Sequence, residues 1–138
     1  MKIKTSCGAI VFYKDNEKIE FLLLKYPNYW GFPKGEKEEK ESEIEAARRE
    51  IKEETNLDVE FIPGFIREYE YSYWLNKRLV KKKAIFFLAR AKTKNVKISW
   101  EHKDFKWLNL EDALKLLTYE EDKKNLREAY EFIKKCNI

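Results

Sequence analysis

The amino-acid sequence predicts a single mixed α/β domain over residues 1–138, and three observations support this. The chain length of 138 residues suits one domain with one core. Apolar residues make up 43% of the chain, enough to bury such a core and to argue against disorder. Strand-like and helix-like segments interleave along the chain, as they do when helices cover a β-sheet.

The composition excludes several classes of protein. No apolar run approaches the roughly 20 residues that a membrane-spanning helix needs. The start Met1-Lys2-Ile3-Lys4 is not followed by the apolar region of a signal peptide, so we expect a cytoplasmic protein. Cys7 and Cys136 are too few for a disulfide framework or zinc site, and we expect both to pack as small hydrophobic residues. A net charge of +4 is too small to indicate nucleic-acid binding.

The first quarter of the chain predicts two strands and a rigid loop. Apolar residues indicate strands over Ser6–Tyr13 and Ile19–Lys25, joined by a turn at residues 14–17. Residues 27–35 hold two prolines and two glycines, which predicts an ordered loop there.

The first helix is predicted by its capping residues and its apolar periodicity. Ser42 followed three residues later by Glu45 forms a capping box. Asn56 suits the left-handed position that ends many helices. The expected apolar face carries Ile44, Ala47 and Ile51.

The remaining chain predicts four strands and two helices. The strands are expected at Val59–Ile62, Phe65–Trp74, Leu79–Ala91 and Phe105–Leu108. Pro63-Gly64 and residues 75–78 are expected to be turns. Asn109 is expected to cap a short helix, and Thr118 with Glu121 to open a longer one. The apolar face of the last helix should hold Leu126, Ala129, Tyr130 and Ile133.

Three carboxylates share one ridge of the first helix. At about 100° per residue, Glu50, Glu53 and Glu54 fall within a sector of roughly 100° beside the apolar face. Like charges at this spacing destabilise a helix by about 0.2–0.5 kcal/mol per pair, and the helix dipole disfavours anions near the C-terminus. A bound divalent cation reverses both effects, and oxygen ligands favour Mg²⁺ or Mn²⁺. A solvated acidic face, partly neutralised by Arg49 and Lys52, is the alternative.

This helix and the loop before it resemble the signature of the Nudix hydrolases. The signature is G-x5-E-x7-R-E-U-x-E-E-x-G-U, where U is a bulky aliphatic residue. The chain departs from it only at Asn56, where the family has Gly, and both residues tolerate the left-handed conformation. The matching residues are Gly35, Glu41, Arg49, Glu50, Ile51, Glu53, Glu54 and Leu57.

The resemblance implies an α/β/α sandwich with a mixed sheet and the hydrolysis of a nucleoside diphosphate linked to another group. It also implies that Mg²⁺, or Mn²⁺ in its place, binds Glu50, Glu53, Glu54 and the carbonyl of Gly35 and activates the attacking water. Arg49 is expected to orient a glutamate through a charge-assisted hydrogen bond rather than to touch substrate.

The segments 19–24, 30–35 and 99–107 further resemble the asymmetrical diadenosine tetraphosphate hydrolases within that family. This implies a dinucleoside tetraphosphate substrate cleaved to ATP and AMP. Glu101 matches a loop glutamate that binds metal or acts as base in that subfamily. Glu50 and Glu101 are therefore both candidate bases, with Glu53 and Arg49 in the same catalytic set. His102 is expected to make a structural hydrogen bond.

The same resemblance implies a substrate-binding set. Tyr73 and Tyr119 are expected to stack on adenine, although packing is the default role of a strand tyrosine. Lys34, in the stiff loop, is expected to contact phosphate. Lys81 and Lys83 should share one strand face and contact phosphate too; without the resemblance they would be read as protection of a sheet edge.

Three alternatives stay open. The chain could be an RNA 5′-pyrophosphohydrolase or a nucleoside triphosphate pyrophosphohydrolase, or a nucleotide-binding sensor that no longer hydrolyses its ligand. Glu36 stands where the subfamily has His, and residues 36–40 lack its Pro-Gly, which leaves the exact substrate open. We expect a monomer that binds a small nucleotide and no membrane, with nucleic acid only as 5′-triphosphate RNA.

Overall fold

The computed structural model describes residues 3–100, 102 and 104–138. Its helices are α1 (Glu43–Thr55), α2 (Leu110–Leu116) and α3 (Glu120–Lys135). Its strands are β1 (Lys4–Asp15), β2 (Lys18–Lys25), β3 (Trp30–Gly31), β4 (Lys34–Glu36), β5 (Val59–Leu75), β6 (Arg78–Ala91) and β7 (Phe105–Leu108). No helix in the described part of the chain combines the length and the apolar character needed to cross a bilayer.

The sheet is mixed, which confirms the predicted fold class. Its strand order is β3-β2-β1-β6-β5, with β4 paired to β1 and β7 paired to β2. Strands β1 and β6 run parallel, whereas the other pairs are antiparallel. The short strand β3 lies within the segment predicted as an ordered loop, and β4 begins in that segment and ends one residue after it.

Helices cover both faces of this sheet. On one face, Ala47 and Ile51 of α1 join a fully buried cluster with alternate residues of β1 and β6. On the other face, Leu126, Ala129 and Ile133 of α3 are fully buried against a cluster that includes Ile10 and Phe12 of β1 and Phe86 and Leu88 of β6. Ile44 is 40% exposed, contrary to expectation, because the packed face of α1 begins only at Ala46.

The ends of α1 form as predicted. Ser42 Oγ accepts a hydrogen bond from Glu45 N–H (3.2 Å), and Glu45 Oε1 accepts one from Ser42 N–H (2.9 Å). Asn56 takes the left-handed conformation with φ of 61°, and its N–H donates to Lys52 O. The helix therefore ends immediately after its three carboxylates, next to the sheet.

Two local predictions are wrong because distant partners compete for the same groups. Pro63-Gly64 makes an irregularity inside β5 rather than a turn, since the chain keeps pairing with β6 on both sides of it and Gly64 takes a φ of +96°. Thr118 does not cap α3; its Oγ1 instead accepts a hydrogen bond from Trp30 N–H (2.9 Å).

The two thiols also differ from each other. Cys7 is fully buried, as expected, and burial raises its pKa to about 11. Cys136 is exposed because it follows the last turn of α3, so its predicted packing is wrong.

Candidate active site

An acidic cavity of about 700 Å³ lies where the C-terminal end of α1 meets β4 and the segment around residue 100. The predicted ridge of carboxylates faces it: Glu50, Glu53 and Glu54 all contribute to the wall. Gly35 and Lys34 line the same cavity, whereas Glu101 lies outside the described residues. The lining residues are Tyr26, Pro27, Lys34, Gly35, Glu36, Glu50, Glu53, Glu54, Ser99, Trp100 and His102.

Glu54 is buried and is held at both carboxylate oxygens. Its Oε1 accepts a hydrogen bond from the Lys34 backbone N–H (2.9 Å), and its Oε2 lies 2.8 Å from His102 Nε2. Burial raises the pKa of Glu54, an effect that the His102 hydrogen bond opposes. The structural hydrogen bond expected of His102 is therefore present. The Tyr26 ring, which sequence reasoning missed, packs edge-on against His102 at 4.6 Å between centroids.

Arg49 joins the other glutamates of the motif. Its Nε and Nη2 donate to the two carboxylate oxygens of Glu41 at 2.6 and 2.9 Å. Its Nη1 donates to Glu50 at 2.7 Å and to Glu53 at 3.3 Å. Such a paired contact fixes the guanidinium plane, which in turn orients the Glu50 carboxylate.

Gly35 is required by the position of Glu50. A Cβ built on Gly35 would overlap the Glu50 carboxyl group, although the backbone there does not take a left-handed φ. The glycine therefore lets the main chain of β4 and the Glu50 carboxylate approach closely. Three carboxylates and a backbone carbonyl are the oxygen donors that hard divalent cations prefer, so the donor set fits Mg²⁺ or Mn²⁺.

The carboxylates of Glu50, Glu53 and Glu54 do not converge on one point. Among residues 3–100, 102 and 104–138, no three His, Cys, Asp or Glu side chains form a group that could hold a metal ion. Glu50 is turned towards Arg49, Glu54 towards His102, and the Glu53 side chain is 59% exposed. A cation would therefore have to draw these oxygens inward.

The Arg49–Glu41 pair predicts a change in stability with pH. Hydrogen bonding from Arg49 lowers the pKa of Glu41 to about 2. Because the folded-state pKa lies below the unfolded-state value, the pair stabilises the fold above that unfolded value and loses its effect as pH falls towards 2. Glu41→Gln should therefore lower the unfolding midpoint at pH 7 but not near pH 2. Thermal melts compared with Glu39→Gln, an exposed neighbour, measure this; equal losses at both pH values would contradict it.

A second cavity, of about 490 Å³, lies next to the acidic cavity and is lined by tyrosines. Tyr73 and Tyr119, both expected from the sequence, face it. Tyr29, Tyr69 and Tyr71 were missed, although the period-two spacing of residues 69, 71 and 73 on a strand already indicates one shared face. We call this space the tyrosine cavity.

Lys34 lines both cavities and connects them. Its ammonium lies 5.4 Å from the Tyr29 ring centroid and 5.8 Å from that of Tyr71. Burial lowers the pKa of Lys34, whereas the carboxylate of Asp122 opposes that shift. Asp122 is 2% exposed and accepts a hydrogen bond from Tyr69 Oη (3.0 Å).

The register of β5 and β6 decides which lysine accompanies Lys34. Lys82 is paired with Tyr71 and therefore shares the face of the tyrosines, with its ammonium 5.8 Å from the Tyr73 ring centroid. Lys81 is paired with Ser72, and Lys83 is paired with Glu70 and forms an ion pair with Glu68 (3.4 Å). Lys81 and Lys83 do share a face, but it is the face away from the tyrosine cavity. Of the three lysines, Lys82 is therefore the one on the face of the tyrosine cavity, and the phosphate contacts expected of Lys81 and Lys83 stay a prediction.

Comparison with known proteins identifies the family of the chain. Residues 3–130 match the NUDIX domain, so the chain belongs to the Nudix family.

Within that family, the chain is 37% identical over 142 residues to mouse bis(5′-nucleosyl)-tetraphosphatase (asymmetrical), covering 93% of this chain and 94% of the mouse protein. The crystal structure of a C. elegans Ap4A hydrolase binary complex is similar with a TM-score of 0.78 and 32% identity, over 95% of this chain and 98% of that one. The E. coli dihydroneopterin triphosphate pyrophosphohydrolase shares the fold, with a TM-score of 0.72, 20% identity and coverage of 93% and 97%.

Proposed function

We propose that this protein hydrolyses diadenosine tetraphosphate asymmetrically, giving ATP and AMP, with Mg²⁺ or Mn²⁺ as cofactor. The observation that carries the proposal is the position of Lys34 between the acidic cavity and the tyrosine cavity. Its backbone N–H holds Glu54, while its side chain lies among the tyrosines. Lys34 thereby places a positive charge, which suits phosphate, between a cavity for a nucleobase (the tyrosine cavity) and a cavity for cations (the acidic cavity). The near full-length similarity to tetraphosphatases supports the same substrate.

The proposed role of the motif glutamates is to bind the divalent cations. Glu50, Glu53 and Glu54 would hold the cations, with the Gly35 carbonyl and Glu101 as further ligands. When bound, the cations neutralise phosphate oxygens and lower the pKa of the attacking water.

The other groups position the substrate and accept a proton. Arg49 keeps Glu50 oriented. Lys34 and Lys82 supply positive charge beside the polyphosphate, where it stabilises charge that develops on the leaving group. Glu50 and Glu101 are both candidates to accept the proton of the attacking water.

Product analysis tests this function directly. The protein is incubated with diadenosine tetraphosphate and Mg²⁺, and the nucleotides are separated by chromatography. We expect ATP and AMP in equal amounts, no turnover after chelation, and recovery on adding Mg²⁺ or Mn²⁺. Two molecules of ADP, or no turnover, would contradict the proposal. Faster cleavage of 5′-triphosphorylated RNA than of the dinucleotide would favour the RNA pyrophosphohydrolase alternative.

Tyr119 is expected to contribute to binding rather than to the chemical step. Its ring is 46% exposed in the tyrosine cavity and lies 5.1 Å from the Tyr29 ring centroid. Because stacking on a base contributes about 1–3 kcal/mol, Tyr119→Ala should raise KM by about 5- to 150-fold with little change in kcat. Tyr119→Phe keeps the ring and should behave like the wild type. Steady-state kinetics check this; a lower kcat at unchanged KM would contradict it.

A further inference from the structure

Trp100 is the most exposed large hydrophobic side chain in the described part of the chain, at 92% exposure. It lines the acidic cavity together with Ser99 and His102. An indole left in water makes no contribution to the core, and its large apolar face is available to a ligand. Unlike the other exposed tryptophan, Trp74, Trp100 presents its ring to the acidic cavity.

The residues on either side of Trp100 in the described chain, Ser99 and His102, both contact Glu54 of α1. Before Trp100, the Ser99 N–H donates to Glu54 O (3.1 Å). After it, His102 Nε2 lies 2.8 Å from Glu54 Oε2, and the His102 N–H donates back to Ser99 O (3.1 Å). The position of Trp100 is thereby tied to that of Glu54.

The order of the cavities indicates what reaches Trp100. The tyrosine cavity and the acidic cavity meet at Lys34, so a polyphosphate that starts from a base among the tyrosines passes Lys34 into the acidic cavity. A dinucleotide carries a second base at the far end of that chain. Trp100 and Pro27 are the exposed apolar groups of the acidic cavity, beside the more buried Tyr26. The three glutamates of the cavity supply charge.

We propose that Trp100 stacks on the second nucleobase of the substrate, the one that lies outside the tyrosine cavity. The proposal rests on the proposed function, because it requires a substrate with two bases. Trp100 is then a specificity-determining residue that favours dinucleoside over mononucleoside polyphosphates. Stacking on an aromatic ring tolerates different bases, so the second nucleoside need not be adenosine.

The test compares two substrates that differ in the second nucleoside, diadenosine tetraphosphate and adenosine 5′-tetraphosphate. Trp100→Ala should raise KM for the dinucleotide by about 5- to 150-fold, the effect of one lost stack, and leave KM for the mononucleotide unchanged. Trp100→Phe should restore most of the difference. Tyr119→Ala should raise KM for both substrates. Trp74→Ala removes another exposed tryptophan (72%) that lines neither cavity and should leave both values unchanged.

Binding of a non-hydrolysable methylene analogue of the dinucleotide separates the two proposals, hydrolysis of the dinucleotide and stacking by Trp100. If Trp100→Ala binds the analogue as tightly as the wild type does, the role of Trp100 is overturned. It is also overturned if the variant loses as much affinity for adenosine 5′-tetraphosphate as for the dinucleotide analogue. If the wild type binds the analogue more tightly than Trp100→Ala but does not turn over the dinucleotide, the proposed hydrolysis is overturned and the stacking role stands. An unchanged unfolding midpoint in Trp100→Ala is expected, because the side chain is exposed.

Discussion

Replacing Glu54 by Gln is expected to slow hydrolysis of the dinucleotide by more than about 100-fold while the protein stays folded. The amide keeps the size of the side chain, and its oxygen can still accept the Lys34 N–H. The negative charge that a cation requires is lost, and changes even outside the ligand shell of a metal cost about 10- to 100-fold. Turnover and the unfolding midpoint are measured together, and Mn²⁺ binding is titrated separately.

A matched control comes from the same helix. Glu43 lies in the first turn of α1 and is exposed, so Glu43→Gln removes the same charge at the other end of the helix. We expect Glu43→Gln to bind Mn²⁺ and turn over substrate like the wild type. Near-normal turnover and Mn²⁺ binding by Glu54→Gln would remove Glu54 from the metal site.

Gly35→Ala should have the second largest effect, through Glu50. The added Cβ would overlap the Glu50 carboxyl group, so that carboxylate must move out of its place beside Arg49. A misplacement of about 1 Å can cost about 100-fold in rate, and we expect a loss of that order with a small change in the unfolding midpoint. The backbone at residue 35 accommodates alanine, because no left-handed φ is required there.

A double-mutant cycle tests whether Gly35→Ala lowers turnover through its overlap with Glu50. In Glu50→Ala the overlapping carboxyl group is absent, so adding Gly35→Ala should cause little further loss of turnover. Additive losses would show that Gly35 acts independently of Glu50. Wild-type turnover by Gly35→Ala would show that the overlap is relieved at no cost.

Features held by contacts within a few residues were predictable from sequence. The capping box of α1 and the left-handed Asn56 depend on hydrogen bonds that span three or four residues, and both form as expected. The ridge of Glu50, Glu53 and Glu54 follows from helical spacing alone, and the structure brings it to one cavity. Family membership depends on this same segment and is confirmed.

Features that depend on a strand partner or a distant competitor were not predictable. Alternation groups Lys81 with Lys83 but does not say which face of β6 meets the tyrosines; only the register with β5 places Lys82 there. Thr118 has the local pattern of a helix cap, yet its hydroxyl accepts a hydrogen bond from the N–H of Trp30, which is distant in sequence. Pro63-Gly64 has the pattern of a turn, yet pairing with β6 makes it an irregularity in a strand.

The sequence by itself therefore determined the mixed α/β class, the two ends of α1 and the acidic ridge, because each follows from the spacing of neighbouring residues. Tertiary structure alone decided that Lys34 lies between a charged cavity and an aromatic one, and that Trp100 stands exposed at the former. These positions depend on how β4, β5 and α1 pack together. Hydrogen bonds between residues far apart in the chain, such as those from Lys34 and His102 to Glu54, specify that packing.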